Sequence, residues 1–218
     1  MNNNENYTIR NEQTEDQWNV EDLTRRAFWN LYVPGCSEHY LVHVMRNHPD
    51  FIPELNFVLE KDNRIIGSVM YTKAKLVDEE NHEKQILTFG PLSIHPDFQR
   101  QGYGKVLLEY SFEKAKRMSY DVIVIFGNPD NYVSRGFKSC KKFDICREEN
   151  FYPSAMLVKE LTEGCLEKKK WRYIDSEVYH IVENGKEKEK FDLNFEKMEK
   201  KFQTSQEEFY IHSHSKII

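Results

Sequence analysis

The stretch from Gln85 to Met118 constrains the fold more than any other part of the chain. It opens with nearly continuous apolar sequence, Gln85 to His95, interrupted by Gly90-Pro91. Such a run reads as a buried strand. Proline brings no N–H to a ladder, so the strand is expected to bulge or kink at that point. His95-Pro96-Asp97 then forms a turn, and Gln99-Arg100-Gln101-Gly102-Tyr103-Gly104 adds two glycines. A helix follows, with Val106, Leu107, Phe112, Ala115 and Met118 on its apolar side. Strand, glycine turn and helix together make a general phosphate-binding device. The first helical turn leaves N–H groups unpaired at the positive end of the helix dipole.

Three phosphate motifs compete for this turn. A nucleotide-triphosphate loop needs G-x-x-x-x-G-K-[ST]. Gly104-Lys105 fits its middle, but Gln99 stands at the first glycine and Val106 at the magnesium-binding hydroxyl. A dinucleotide fingerprint needs G-x-G-x-x-G. Gly102 and Gly104 fit it, but Leu107 stands at the third glycine. The third motif fits throughout. Leu92 to Leu108 resembles the acetyl-CoA motif of the GNAT superfamily of N-acetyltransferases: an apolar strand, a proline turn, then Q/R-x-x-G-x-G/A opening a helix. Gln99, Gly102 and Gly104 occupy its defining positions. Glu60 to Gly67 resembles the family's second and third strands with their hairpin. Asn128 and Tyr132-Val133-Ser134-Arg135-Gly136-Phe137 resemble its later pattern of an Asn after a strand and a Tyr before Gly-Phe.

The resemblance implies an α/β (α+β) fold of the GNAT type, with a central mixed, mostly antiparallel sheet flanked by helices. It covers about Tyr7 to Glu160, so residues 1–161 are expected to form the N-acetyltransferase domain. Residues 162–218 are expected to form an extension packed on it, set off by the charge runs Glu167 to Lys170 and Lys186 to Lys190.

Local pattern supplies the remaining elements. Tyr7 to Arg10 reads as an opening strand. Thr14 reads as the N-cap of a helix carrying Trp18, Val20, Leu23 and Ala27. A second helix is expected from about Ser37, with Tyr40, Leu41, Val44 and Met45 on one face. Leu55 to Glu60 and Arg64 to Tyr71 read as strands joined by the turn Lys61-Asp62-Asn63. Asp121 to Phe126 and Ala155 to Val158 read as further strands. In the extension, Trp171 to Ile174 and Val178 to Ile181 are expected as strands. Phe191, Phe195, Met198 and Phe202 are expected on an amphipathic helix.

The resemblance also implies chemistry: a substrate amine attacks the thioester carbonyl of acetyl-CoA. Backbone N–H groups around Leu92, Ser93 and Ile94 are the expected donors to the cofactor, released from the ladder by the Gly90-Pro91 kink. Gln99, Arg100, Gln101, Gly102, Tyr103, Gly104 and Lys105 would offer amides to the pyrophosphate, with Arg100 and Lys105 adding charge. Asn128 would hydrogen-bond the pantetheine arm in a gap between splayed strands. Tyr132 would protonate the departing thiolate. Phenol and thiol have reference pKa values of about 10 and about 8.5, so that transfer is only modestly uphill. Glu60, His95 and Asp97 lie near motif positions, and water-mediated deprotonation needs none of them. The acceptor site is expected from the first two helices and their loop, with Trp29, Tyr32, Glu38, His39 and Tyr40 as candidates. The acceptor is a small-molecule amine or a peptide or protein amine. The competing function is a non-catalytic coenzyme A-binding sensor module.

Composition narrows the rest. Thirty-one Lys and Arg against 36 Asp and Glu give a net charge of -5, which speaks against a nucleic-acid binder. Cys36, Cys140, Cys146 and Cys165 form no C-x-x-C or zinc pattern, so no metal is expected and the thiols are expected free. The polar start Met1 to Asn6 does not read as a signal peptide, and no apolar run is long enough to span a bilayer. The expected protein is cytoplasmic, with no membrane partner and the option of a homodimer.

Overall fold

Sheet order follows from the length of one strand. The computed structural model describes residues 7–148, 150–166, 168–181 and 185–217. Its strands are β1 (Tyr7–Asn11), β2 (Phe57–Lys61), β3 (Arg64–Asp78), β4 (Glu83–Ile94), β5 (Val122–Phe126), β6 (Lys138–Ser139), β7 (Ile145–Cys146), β8 (Met156–Glu160) and β9 (Trp171–Ile174). The order is β1-β2-β3-β4-β5-β8-β6. The 15-residue β3 pairs along one edge with β4. Its other edge is shared. β2 takes the first part, from Arg64 to Val69, and β9 takes the end, Lys75↔Ile174 to Asp78↔Trp171. β9 also pairs with β7 in parallel. Apart from that pair and β4–β5, neighbours run antiparallel.

The helices are α1 (Gln17–Phe28), α2 (Glu38–Met45), α3 (Tyr103–Arg117), α4 (Pro129–Tyr132), α5 (Val178–Ile181), α6 (Gly185–Asp192) and α7 (Thr204–His214). Strand side chains alternate between two faces, and that period of two divides the core. Phe57, Leu59, Val69, Tyr71, Ile123 and Ile125 pack under Leu107, Leu108 and Phe112 of α3. The intervening Val58 and Met70 pack on Val20, Val42 and Met45 of α1 and α2. Val122 and Val124 join Trp171 and Tyr173 of β9 in a third cluster. The buried face of α3 is Leu107, Leu108, Ser111, Phe112 and Ala115, whereas Met118 stands exposed beyond it.

Most elements lie where their sequence signals place them, and the exceptions have local causes. Asp62 and Asn63 both take positive φ in the two-residue hairpin, the conformation such turns demand. Thr14 is not a helix cap. It opens a 3-10 turn, Thr14–Asp16, whose preceding residue Gln13 donates its N–H to Asp16 Oδ2 (2.8 Å). Trp18 is exposed on α1 and stacks on Phe195, rings 4.5 Å apart. β3 runs on past Tyr71 to Asp78 because β9 supplies its outer edge. Val178–Ile181 is helical, not extended: a stretch of four residues carries no usable period. No single helix carries Phe191, Phe195, Met198 and Phe202. α6 ends at Asp192, Phe191 and Phe195 close around His39, and Phe202 is exposed. The four cysteines are unpaired. Among the described residues no cluster suits a metal ion, and no helix is long and apolar enough to cross a membrane.

Candidate active site

The site begins where two parallel strands part. β4 and β5 pair only at Leu87↔Ile123. Beyond that point β5 stays with β8, from Val122↔Glu160 to Phe126↔Met156, and β4 stays with β3. Between the pairs Tyr71↔Phe89 and Val69↔Leu92, β3 has only Met70 while β4 has Gly90 and Pro91. This is the bulge expected from the missing proline N–H.

The bulge does not release Leu92, Ser93 and Ile94 from the ladder. All three pair with β3, at Val69, Ser68 and Gly67. What is open is the opposite edge. His95 N–H bonds Ile66 O (2.8 Å), so by alternation Ser93 also faces β3 while the N–H groups of Leu92 and Ile94 point to the side that β5 has left. The Ser93 hydroxyl is buried and donates to Thr24 Oγ1 of α1 (2.9 Å).

At the end of β4 the chain turns through Pro96–Phe98 into α3. Gln99 Nε2 ties the turn back to Ile94 O (3.0 Å), and Gln101 Nε2 ties it to Asp97 O (2.8 Å). Arg100 (φ 60°) and Gly102 (φ 94°) are left-handed. The first helical bonds run from Lys105 and Val106 N–H to Gly102 O. Among the described residues the N–H groups of Gln101, Gly102, Tyr103 and Gly104 have no acceptor. A Cβ on Gly102 would meet nothing within 4 Å, so the space over this helix start is not filled by protein. The side chains contribute less than expected. Tyr103 is buried, its hydroxyl receiving Lys61 Nζ (2.5 Å). Lys105 pairs with Glu109 of its own helix at 3.7 Å, and Arg100 is exposed.

Across the gap, β5 leads into Gly127, Asn128 and α4. Asn128 Oδ1 caps that helix by accepting from Asp130 N–H (3.0 Å), which leaves its amide NH2 as the available donor. Tyr132 folds back over Gly127, where an added Cβ would lie 2.7 Å from its ring. The ring packs near Phe89 (5.9 Å) and Phe137 (5.7 Å). Its hydroxyl has no protein partner among the described residues. Burial pushes its pKa above the ordinary phenol value, so it is protonated at neutral pH.

Tyr132 lines a cavity of about 410 Å³ together with Phe89, Gly90 and Leu92 of β4 and Ile125 of β5. Two of the five acceptor candidates, Tyr32 and Glu38, reach it. Burial raises both their pKa values, that of Tyr32 to about 12 with help from the Glu38 charge. The other three serve elsewhere. Trp29 Nε1 donates to Glu199 O (2.8 Å), Tyr40 donates to Glu187 (2.9 Å), and His39 is fully buried beside Asp192. The first two helices therefore make only part of the wall. The rest comes from residues that carried no motif signal: Arg147, Asp175, Tyr179, His180 and Phe209. Glu60 and His95 lie in a separate polar cleft with Arg10, Asp16 and Arg64. There Glu60 pairs with Arg10 (2.9 Å), while His95 Nε2 lies 2.6 Å from Arg64 Nη2. Asp97 is exposed in the turn. None of these three lines the Tyr132 cavity.

Comparison with known proteins agrees with this geometry. Residues 5–139, more than half the chain, match the family model described as Acetyltransferase (GNAT) family. A GNAT family N-acetyltransferase (YhbS) from Escherichia coli, solved in complex with CoA, superposes with a TM-score of 0.69 at 22% identity, over 83% of this chain and 95% of that one. A GNAT family acetyltransferase from Brucella melitensis, solved with acetyl-CoA, gives 0.62 at 18% identity, over 80% and 99%. A search of curated proteins finds no match to the sequence.

Proposed function

Because the chain belongs to the GNAT acetyltransferase family, we propose that it transfers an acetyl group from acetyl-CoA directly to a primary amine. Three features of the chain fit the donor. The open N–H groups at the start of α3 suit a pyrophosphate. The unshared edge of β4 at Leu92 and Ile94 suits the amide-rich pantetheine arm and the thioester oxygen. Asn128, which follows β5, has an amide NH2 left as a donor for the same arm. Two structures of the same fold hold this ligand, CoA in the Escherichia coli protein and acetyl-CoA in the Brucella melitensis protein.

The observation that carries the reading is the Tyr132 hydroxyl, unpartnered on the cavity that β4 and β5 open between them. Acetyl-CoA supplies an acetyl group activated as a thioester. The β4 N–H groups orient its carbonyl and stabilise negative charge on the oxygen, a contribution of about 3–4 kcal/mol for a preorganised donor. Tyr132, held protonated by burial, gives its proton to the sulfur as the C–S bond breaks and the C–N bond forms. The phenolate is then reprotonated by the proton the new amide nitrogen releases.

The test pairs ligand binding with turnover. Coenzyme A at about 100 times its Kd should stabilise the protein by about 2.7 kcal/mol, read as a shift in Tm. Thiol release from acetyl-CoA should depend on an added amine. Stabilisation by coenzyme A with no turnover on any amine would assign the chain to a binding role instead.

A further inference from the structure

Resting on that reading, we propose that the acceptor is a compact primary amine with an apolar body, whose ammonium is received by Asp175 from the C-terminal segment and gives one proton to solvent before the neutral amine attacks the thioester carbonyl. Asp175 stands between β9 and α5 on the cavity wall. Its Oδ1 accepts from the Tyr173 hydroxyl (2.9 Å) and from Ser176 N–H (3.0 Å), which fixes the carboxylate and leaves Oδ2 without a protein donor among the described residues. The flanking tyrosines seat it beside the reacting strand. Tyr173 packs its ring against Phe126 at the end of β5 (5.7 Å), and the Tyr179 hydroxyl reaches Gly90 O at the bulge (3.5 Å).

The electrostatics ask for a cation. Burial pushes the Asp175 carboxyl above its ordinary pKa, and the nearby charges of Arg147 and His180 offset this only in part. Arg147 lies over the face of Phe126, 5.3 Å from the ring centroid. A desolvated carboxylate is costly, and an ammonium brought to Oδ2 relieves that cost at short range. Glu38, the other carboxylate on the wall, accepts from Ser37 N–H (2.9 Å) at the start of α2, whereas a side chain and the backbone together fix the Asp175 carboxylate in place.

Size and cover select the body of the acceptor. A cavity of about 410 Å³ suits a small molecule. Phe28, Phe89, Phe126 and Phe209 make its lining largely apolar. α7 stands over it, tied down at both ends. Ser205 Oγ and Gln206 Nε2 bond Leu31 O (2.8 Å) and Asn30 O (2.9 Å), while Ser154 Oγ bonds His212 O (2.7 Å). α7 thus takes up part of the wall through Phe209 and Ser213, which favours a free small molecule over a lysine presented on a protein surface.

The experiment uses the full chain, acetyl-CoA and two probe sets. One set is 2-phenylethylamine, benzylamine and cyclohexylamine; the other is lysine-containing peptides. Asp175→Asn keeps an oxygen for Tyr173 and Ser176, so it removes charge without removing those hydrogen bonds. The wild type should turn over a compact amine at least about 100-fold faster, as kcat/KM, than the peptides, the scale of discrimination an ill-fitting substrate meets. Asp175→Asn should raise the KM for that amine about tenfold or more, the cost of losing a charged hydrogen-bond partner. Its KM for acetyl-CoA and its Tm should stay near wild type, and Asp175→Glu should recover part of the loss. An unchanged acceptor KM in Asp175→Asn, or preference for the peptides, overturns this inference while leaving acetyl transfer intact. Thiol release with neither probe set overturns both.

Discussion

At the scale of single residues, the reading depends on how Tyr132 is held. Its ring occupies the space a Cβ on Gly127 would need, 2.7 Å from the nearest ring carbon. Gly127→Ala therefore has to displace the ring, since backbone and ring cannot both stay. Steady-state kinetics should show kcat falling about tenfold or more, the range lost when a catalytic group is misplaced by a fraction of an ångström. The Kd for coenzyme A should move less than twofold, because the start of α3 is untouched. Tyr132 was singled out in the sequence by its resemblance to the family pattern of a Tyr before Gly-Phe. Side-chain roles were less legible. Tyr103 sits in the glycine motif, yet its ring belongs to the core, and Lys105 spends its charge on Glu109. A motif marks a backbone path, and each side chain's partner depends on residues brought together only by folding.

Elements were legible where the apolar pattern was long. β4 and β5 are nearly continuous apolar runs and α3 carries an apolar face at helical spacing, and each lies close to where it is expected. In the C-terminal segment the strand expected at Trp171 to Ile174 is present as β9, whereas the helices were not legible, and the reason is physical. α7 has no apolar stripe; it is held by hydrogen bonds from Ser205 and Gln206 and by Phe209 against Tyr32, rings 4.3 Å apart. β9 pairs with the end of β3 that β2 leaves uncovered, a partnership that local pattern does not reveal. Links between elements also set how stability varies with pH. Arg10 of β1 holds Asp16, just before α1, and Glu60 of β2. Its hydrogen bonds to Asp16 lower that carboxyl's pKa below the ordinary value. A depressed carboxyl contributes stability above its unfolded pKa, and that contribution is lost as pH falls through the ordinary aspartate range, about 3.9, toward the native value. Denaturant titrations of wild type and Asp16→Asn should therefore differ most near neutral pH and converge in acid. The difference isolates Asp16, because Glu38 and Asp175, whose carboxyls burial shifts upward, are present in both proteins.

On the proposed reading the whole molecule divides its labour between two regions. The sheet and α3 would carry the donor features: a bulge, an open strand edge, a helix start and a tyrosine across the gap. The C-terminal segment would complete the acceptor side, since residues of α5, α7 and the β9–α5 link line the same cavity as Tyr132. It is joined to the rest of the fold by the β9–β3 ladder, by the Arg25–Asp192 ion pair (2.7 Å) and by the Trp18–Phe195 stack. The donor features were proposed from a family resemblance carried by glycine, proline and strand pattern, which marks a backbone path. Of the acceptor wall only Tyr32 and Glu38 were expected from the sequence, because the rest, such as Asp175 and Phe209, is brought together from positions far apart in sequence. The central claim is that this assembly releases a thiolate through Tyr132. The most direct test is the turnover of Tyr132→Phe with an accepted amine, measured beside its affinity for coenzyme A. The expected result is a fall in kcat of about 100-fold or more, the usual contribution of a general acid, with the coenzyme A Kd within twofold of wild type. Turnover equal to wild type would contradict it.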